Sequence, residues 1–348
     1  MESGSAVSQD LSTSLPDEER ATGLRRLQRL LHANPTIVPA VVLLAGIAGF
    51  SVAAGERFLD PFNLSLIVQQ VTIVGIVAIG QTLIILTAGI DLSVGAIMVL
   101  SSVVMGRLAV EAGIPVYLAI PGGLLIGVIA GGINGALTTI FRLPPFIVTL
   151  GTWNMFFALN LWYSGSNTIR AQEVEAAAPV LQWLGLSGDA FGARVTLGSL
   201  LMVLLAAVTW YVLNRTAFGR HVYAVGDDPD AARLAGIRTD RVLFAVYVLA
   251  GVIYAVAGWA LIGRIGSVSP LAGSTLNLDS ITAVVIGGTS LFGGRGSIIG
   301  TILGALIVGV FRNGLALAGL DVLWQEFTVG LLIIVAVTLD QWIRRVAA

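Results

Sequence analysis

The chain has no cysteine and no lysine, and all 19 of its basic residues are arginine. Without cysteine there is no disulfide, thiolate nucleophile or Cys-ligated zinc, and redox compartment cannot be read from the composition. Without lysine, the Lys-dependent phosphate loop of an ATPase is excluded from this chain; if ATP drives the protein, another subunit binds ATP and Mg. Histidine is nearly missing as well. His32 and His221 both lie outside the apolar stretches, so neither a metal site nor a catalytic site is expected. Charged residues make up 11% of the chain against 56% hydrophobic, with a mean hydropathy of +0.91 and a net charge of -1. No soluble globule has that composition, and no nucleic-acid partner or cofactor is expected. The chain is made for a lipid bilayer.

Crossing ~30 Å of hydrocarbon takes about 20 mostly apolar residues per helix. Ten such segments are legible, approximately Ile37 to Ala54, Leu64 to Thr87, Leu92 to Val110, Val116 to Ile140, Phe146 to Tyr163, Val195 to Leu213, Val242 to Gly263, Ser280 to Phe292, Ile298 to Leu317 and Leu323 to Ile343. The expected fold is an all-α polytopic bundle of about ten spans, occupying residues 36–345. The eighth segment is short and runs into Gly293, Gly294, Arg295 and Gly296, which predicts a broken or re-entrant helix. Residues 1–35 are polar, with a basic stretch at Arg20, Arg25, Arg26 and Arg29, and read as a cytoplasmic tail followed by an interfacial helix. The acidic start does not suit a cleavable signal peptide.

With both termini inside, thirteen Arg lie inside and six outside, as the positive-inside rule expects. Two connections are too long to be turns. The stretch 164–194, outside, has an Ala/Glu-rich patch around Glu173 to Ala178 that predicts a short helix on the membrane surface. The stretch 214–241, inside, holds five Arg and four Asp and offers a surface to a soluble partner.

Many of the 42 glycines fall within the spans, where they let helix backbones approach closely. Gly123, Gly127, Gly131 and Gly135 recur every four residues on one helix face, and Gly296, Gly300 and Gly304 on another, predicting tight packing within the bundle or against a second copy. A repeat is also visible: Leu86 to Met98 aligns with Leu291 to Leu303, placing Gly95 on Gly300 and Ile97 on Ile302. Transporter halves that arise by duplication place their sites where helices break.

Carboxylates within lipid are expensive. Asp91 falls between two apolar runs and Asp279 opens another; each suits a helix N-cap, a polar group on a water-filled path, or both. Asp321 and Glu326 read as interfacial. The fifth segment carries Thr149, Thr152, Trp153, Asn154, Asn160, Trp162 and Tyr163. Amides, hydroxyls and rings interleaved in one span suit a sugar path, since sugars present hydroxyl edges and C–H faces. They equally suit an aromatic belt with interhelical hydrogen bonds. Trp162 and Tyr163 fit the belt, whereas Trp153 and Asn154 lie deeper.

In the stretch TAFGRHVYAVGDDPDAARLAGIRTD, Asp228 can cap a helix, Pro229 suits its first position, and Gly236 can stop it after about two turns. Within it, Asp230, Ala231, Ala232, three residues and Gly236 resemble the Glu-Ala-Ala-x3-Gly loop by which permease subunits of bacterial ABC importers contact their ATPase, with Asp in place of Glu. Longer runs resemble the monosaccharide permeases of the ribose, xylose and fructose type: Gly80 to Met98, Leu143 to Asn154, Thr216 to Ile237 and Ile281 to Ile307, in the same order. The resemblance covers nearly everything from Ile37 to Arg345, and Asp340 to Arg345 and Arg264 to Pro270 look closest to fructose-type members.

That resemblance implies an inner-membrane homodimeric permease served by a separate ATPase subunit and a periplasmic sugar-binding protein. It implies that Gly219, Arg220, Asp230, Ala231, Arg233 and Gly236 form the coupling surface, while Asp91, Trp153, Asn154 and Asp279 are the expected path residues. A competing expectation is a secondary sugar transporter driven by an ion gradient, with Asp91 or Asp279 titrating. An intramembrane enzyme is poorly supported, since no span carries His, Cys or paired carboxylates at catalytic spacing.

Overall fold

The computed structural model describes residues 36–190, 192–273 and 275–344; the polar tail, its expected interfacial helix and Arg345 lie outside the described residues. Each of the ten expected segments is one helix. They are α1 (Ile37–Ala54), α3 (Pro61–Leu86), α4 (Val94–Gly106, extended by a π turn Arg107–Glu111), α5 (Val116–Thr139), α6 (Pro145–Ser164), α8 (Leu197–Arg215), α11 (Thr239–Ile265), α12 (Leu276–Ile286), α13 (Ile298–Leu317) and α14 (Val322–Arg344). Between them lie short helices α2 (Glu56–Leu59), α7 (Ala171–Ala177), α9 (Ala217–Asp227) and α10 (Pro229–Leu234). Seven of the described helices are long and apolar enough to cross a membrane by themselves: α1, α3, α4 with its π turn, α5, α8, α11 and α13. In α12 and α14 the apolar stretch is shorter. The interleaved amides and hydroxyls of α6 dilute its hydropathy.

The most enclosed spans are α4 and α3, and α3, which has no single apolar stripe, packs against α8, α11, α12 and α13, as expected of a helix at the centre of a bundle. The main core surrounds it, with Ile76, Ile79, Ile84, Ile97, Met98, Tyr247 and Tyr254 almost fully enclosed. The first glycine stripe is used within the chain. A Cβ on Gly127 would stand 2.3 Å from Gly251 O, and one on Gly131 2.3 Å from Tyr247 O, so α5 and α11 touch backbone to backbone. Gly300 and Gly304 do the same for α12 and α13, facing Gly287 O and Ala283 O.

The helix expected around 173–178 is α7. Beyond it a 3-10 turn (Pro179–Gly185) leads into an antiparallel hairpin, β1 (Ser187–Ala190) and β2 (Ala193–Thr196), which the sequence did not announce. Because α8 connects this hairpin to α9, the hairpin and the α9–α10 pair stand at opposite ends of the bundle.

The shortness of α12 has a definite cause. After α11 stops at Gly266, in the left-handed region at φ 75°, the chain folds back along α4 without forming a helix. Val268 fills the space beside Gly106 and pairs with Ile169, and Gly273 lies against Met98. α12 therefore starts beside Gly95, well inside the bundle.

Candidate functional site

Two helix breaks meet at the α9 end of the molecule. The first, 87–93, starts where Thr87, Ala88 and Gly89 turn back onto Ile84 and Ile85, with Ala88 at φ 59°. That conformation is costly for a residue with a Cβ. The second, 287–297, contains Gly288, Gly293 and Gly294 at φ 83°, 84° and 69°. These are the two stretches aligned as a repeat. Each follows one helix and opens another, with Ser93 ahead of α4 and Ser297 ahead of α13. They are joined directly: Gly294 N donates to Leu86 O at 3.0 Å. One layer deeper, the hydroxyls of Thr82 and Thr301 lie 2.7 Å apart.

α9 is locked onto this junction. It is strongly amphipathic, with Val222, Val225 and Gly226 buried and Arg220 and His221 exposed. A Cβ on Gly226 would stand 1.8 Å from Leu86 O and 2.7 Å from Gly294 N, so only hydrogen lets the helix end reach both breaks. Tyr223 adds a hydrogen bond, its hydroxyl donating to Gly296 O at 2.9 Å. Gly219 makes the turn out of α8 possible in the same way, with Leu213 O 2.0 Å from its missing Cβ. α10 follows immediately and is built as its sequence predicts. Asp228 Oδ1 accepts from the N–H groups of Asp230 and Ala231 at 2.9 Å, Pro229 is the first residue, and Gly236 turns the chain at φ 85°. Asp230, Ala231, Arg233 and Gly236 are exposed on one short element, and beside them Leu234 is 90% exposed.

Within the first break Asp91 sits in a buried polar network. Its Oδ1 accepts from Ser93 N at 2.8 Å and from Ser93 Oγ at 2.6 Å. Ser93 Oγ accepts from Asn134 Nδ2, and Asn134 Oδ1 from Thr152 Oγ1, at 2.8 and 2.7 Å. Thr149 Oγ1 donates to Ile90 O at 2.9 Å. The Gln81 amide, oriented to suit its neighbours, bonds both the N–H and the C=O of Asp91 at 3.3 Å. Side chains from α3, α5 and α6 thus replace the helical hydrogen bonds this segment lacks, as irregular backbone within a membrane requires. Asp91 shapes the turn but does not cap α4; the cap comes from across the bundle, where Asn277 Oδ1 accepts from Gly95 N at 2.8 Å.

Two cavities flank the folded-back stretch 266–273. One of ≈ 180 Å³ lies between α4, α6 and α12, with Trp153, Phe157, Asn160 and Asn277 on its wall. The other, of ≈ 540 Å³, lies between α3, α11, α12 and α13 and is lined by Gln70, Arg264, Asp279 and Arg312 among others. Asp279 is the fourth residue of α12 and does not cap it. Its Oδ1 instead accepts from Arg312 at 2.8 Å, and Arg312 also reaches Glu326 at 3.0 Å.

The four expected path residues are therefore not gathered in one place. Asp91 is in the network, Trp153 in the smaller cavity and Asp279 in the larger. Asn154 lies on an exposed face of α6, donating to Leu150 O at 3.0 Å. Sequence reasoning did not single out Tyr223, Gly226, Leu234, Asn134, Asn277 or Arg312. A usable signal existed for Leu234, a large apolar residue in the most polar loop. For the others the meaning depends on what faces them.

The permease model described as "Branched-chain amino acid transport system / permease component" matches residues 63–337. The fructose import permease of Rhizobium meliloti is 57% identical over 332 residues, covering 95% of this chain and 92% of its own. The ribose import permease of Bacillus subtilis is 42% identical, covering 82% and 86%, and that of Escherichia coli K12 is 35% identical, covering 89% and 94%. No solved structure matches the chain. With ten apolar helices, two broken ones joined end to end, and a match running from α3 into α14, the chain belongs to the permease-component family of the branched-chain amino acid transport type.

Proposed function

We propose that this protein is the membrane-spanning permease subunit of an ATP-driven, binding-protein-dependent importer of a monosaccharide of the fructose, ribose or xylose class. It sits in the bacterial inner membrane with both termini cytoplasmic and works as a pair of copies. A separate ATPase subunit binds ATP and Mg, and a periplasmic protein delivers the sugar. The observation that carries this reading is the α9–α10 unit. Its exposed side presents Asp230, Ala231, Arg233, Leu234 and Gly236, while its buried side is fastened to both helix breaks through Tyr223 and Gly226. A force applied to α10 by a partner reaches Leu86 and Gly294 through a rigid helix without any long-range relay. The identity of the sugar class rests on relatives that match along nearly their whole length.

In this reading Trp153 belongs to the path, whereas Asp91 and Asp279 hold the helices that form it. Arg220 and Gly219 keep α9 oriented beside the partner. The test is uptake of labelled fructose, ribose and xylose into proteoliposomes, with and without the ATPase and the binding protein. Uptake that needs all three proteins and ATP is the expected result. Uptake by this chain alone, driven by a proton or sodium gradient, would establish the secondary transporter instead.

A further inference from the structure

The smaller cavity has a property that packing does not explain. Asn160 is 1% exposed and donates from Nδ2 to Pro270 O at 2.7 Å, which fixes the orientation of its amide. Its Oδ1 is buried without a hydrogen-bond partner. A buried acceptor left unpaired is destabilising, and more so within a bilayer. On the same wall Asn277 uses Oδ1 for Gly95 N, and among the described residues its Nδ2 has no partner. One acceptor and one donor are thus unused by the chain itself, on residues that line a cavity of ≈ 180 Å³ beside the rings of Trp153 and Phe157, where no side chain is ionisable. That volume is several times what a single water needs.

We infer that this cavity is a hydroxyl-recognising subsite for the transported solute, resting on the permease reading above. Asn160 Oδ1 accepts from a sugar hydroxyl, Asn277 Nδ2 donates to one, and the C–H face of the sugar lies on Trp153 or Phe157. The chemistry selects a neutral polyol. An amino acid would need a cation for its carboxylate and an anion for its ammonium group, and this wall supplies neither. The subsite is also tied to the moving parts. Asn277 holds Gly95, two residues beyond Ser93 at the first break, so displacement of α4 reshapes the wall that meets the sugar.

The experiment compares wild type and Asn160→Ala in the complete importer, with its ATPase and binding protein, measuring uptake of fructose and of its monodeoxy analogues. The discrimination exerted by the binding protein is common to both and cancels in the ratio. Wild type should disfavour at least one analogue by about tenfold more than the variant does, since a site built around a hydroxyl rejects the compound lacking it. A uniform fall for every analogue would overturn the subsite, as that is what a purely structural asparagine gives. Ala96→Leu leaves the Asn160 to Pro270 bond intact and fills the cavity from α4. It should reduce fructose uptake more than ribose uptake, and an equal effect on both would count against the inference. Labelled leucine should not compete. If wild type carries no monosaccharide at all, the functional reading falls first, and the subsite with it.

Discussion

The backbone nitrogen of Gly294 donates to the backbone carbonyl of Leu86 at 3.0 Å, joining the end of one helix to the middle of a helix break in the other half of the sequence. Leu86 ends a helix and has an orphan carbonyl; the left-handed turn at Gly293 and Gly294 aims an N–H at it. Gly226 sits against both atoms. The two breaks and the end of α9 therefore move as one body or separate at a cost.

Substituting Gly226 tests that body directly. Gly226→Ala places a methyl group 1.8 Å from Leu86 O, with backbone on both sides and no flexible side chain to yield. A loss of roughly 1–3 kcal/mol is expected from such overpacking. It should appear as a lower midpoint of thermal unfolding in detergent, together with loss of transport.

Tyr223→Phe removes one hydrogen bond, the one to Gly296 O, and keeps the ring. Burial pushes the Tyr223 hydroxyl above its ordinary range, so it is protonated and donating throughout the physiological pH range. The expected cost is about 1 kcal/mol. ATP hydrolysis by the assembled importer should continue while sugar moved per ATP falls, and the ratio of the two rates is the readout.

Leu234 is the apolar side chain most open to solvent next to the Asp230 and Gly236 positions. Leu234→Ser should leave stability within about 0.5 kcal/mol, as surface changes do, while co-purification with the ATPase is lost. Asp230→Ala should likewise abolish uptake with normal membrane insertion. Retained co-purification and transport in both variants would remove α10 from the coupling surface.

Asp279 and Arg312 hold α12 to α13 across the larger cavity at 2.8 Å. Asp279→Asn leaves a partly buried guanidinium with Glu326 as its remaining partner. A cost of about 1.5–3 kcal/mol is expected for losing this charged hydrogen bond, since Arg312 keeps Glu326 and part of its exposure to solvent, with partial recovery in the double variant Asp279→Asn, Arg312→Gln. Thermal unfolding of the purified permease measures both. No loss of stability in the single variant would return Asp279 to the path.

Asp91 accepts two hydrogen bonds from Ser93 through one oxygen, an arrangement that asparagine can reproduce. Asp91→Asn should therefore retain most of the uptake, whereas Asp91→Ala, which leaves Ser93 N and Oγ without that acceptor, should lose it. Uptake abolished equally by both would assign a role to the charge itself.

Much of this protein was legible in one dimension. The ten helices follow from apolar length, because an apolar segment of about twenty residues can satisfy its own backbone polar groups in lipid only as a helix. The short α10 helix follows from Asp228, Pro229 and Gly236, whose effects on capping and turning are local. The glycine stripe announced close packing, although its partner, the backbone of α11 at Tyr247 and Gly251, had to be seen. What only the tertiary structure decided is pairing over distance. Nothing near Leu86 specifies Gly294, and nothing near Gly95 specifies Asn277, because orphan groups at a helix break accept any partner the fold brings within reach. Asp279 looked like a cap and became half of an ion pair because α13 carries Arg312 past it. Asn154 and Asn160 were equivalent as letters; six residues of helical rotation set one on an exposed face and the other on the wall of a cavity. Local chemistry fixes which elements form, and the identity of their neighbours fixes what each side chain does.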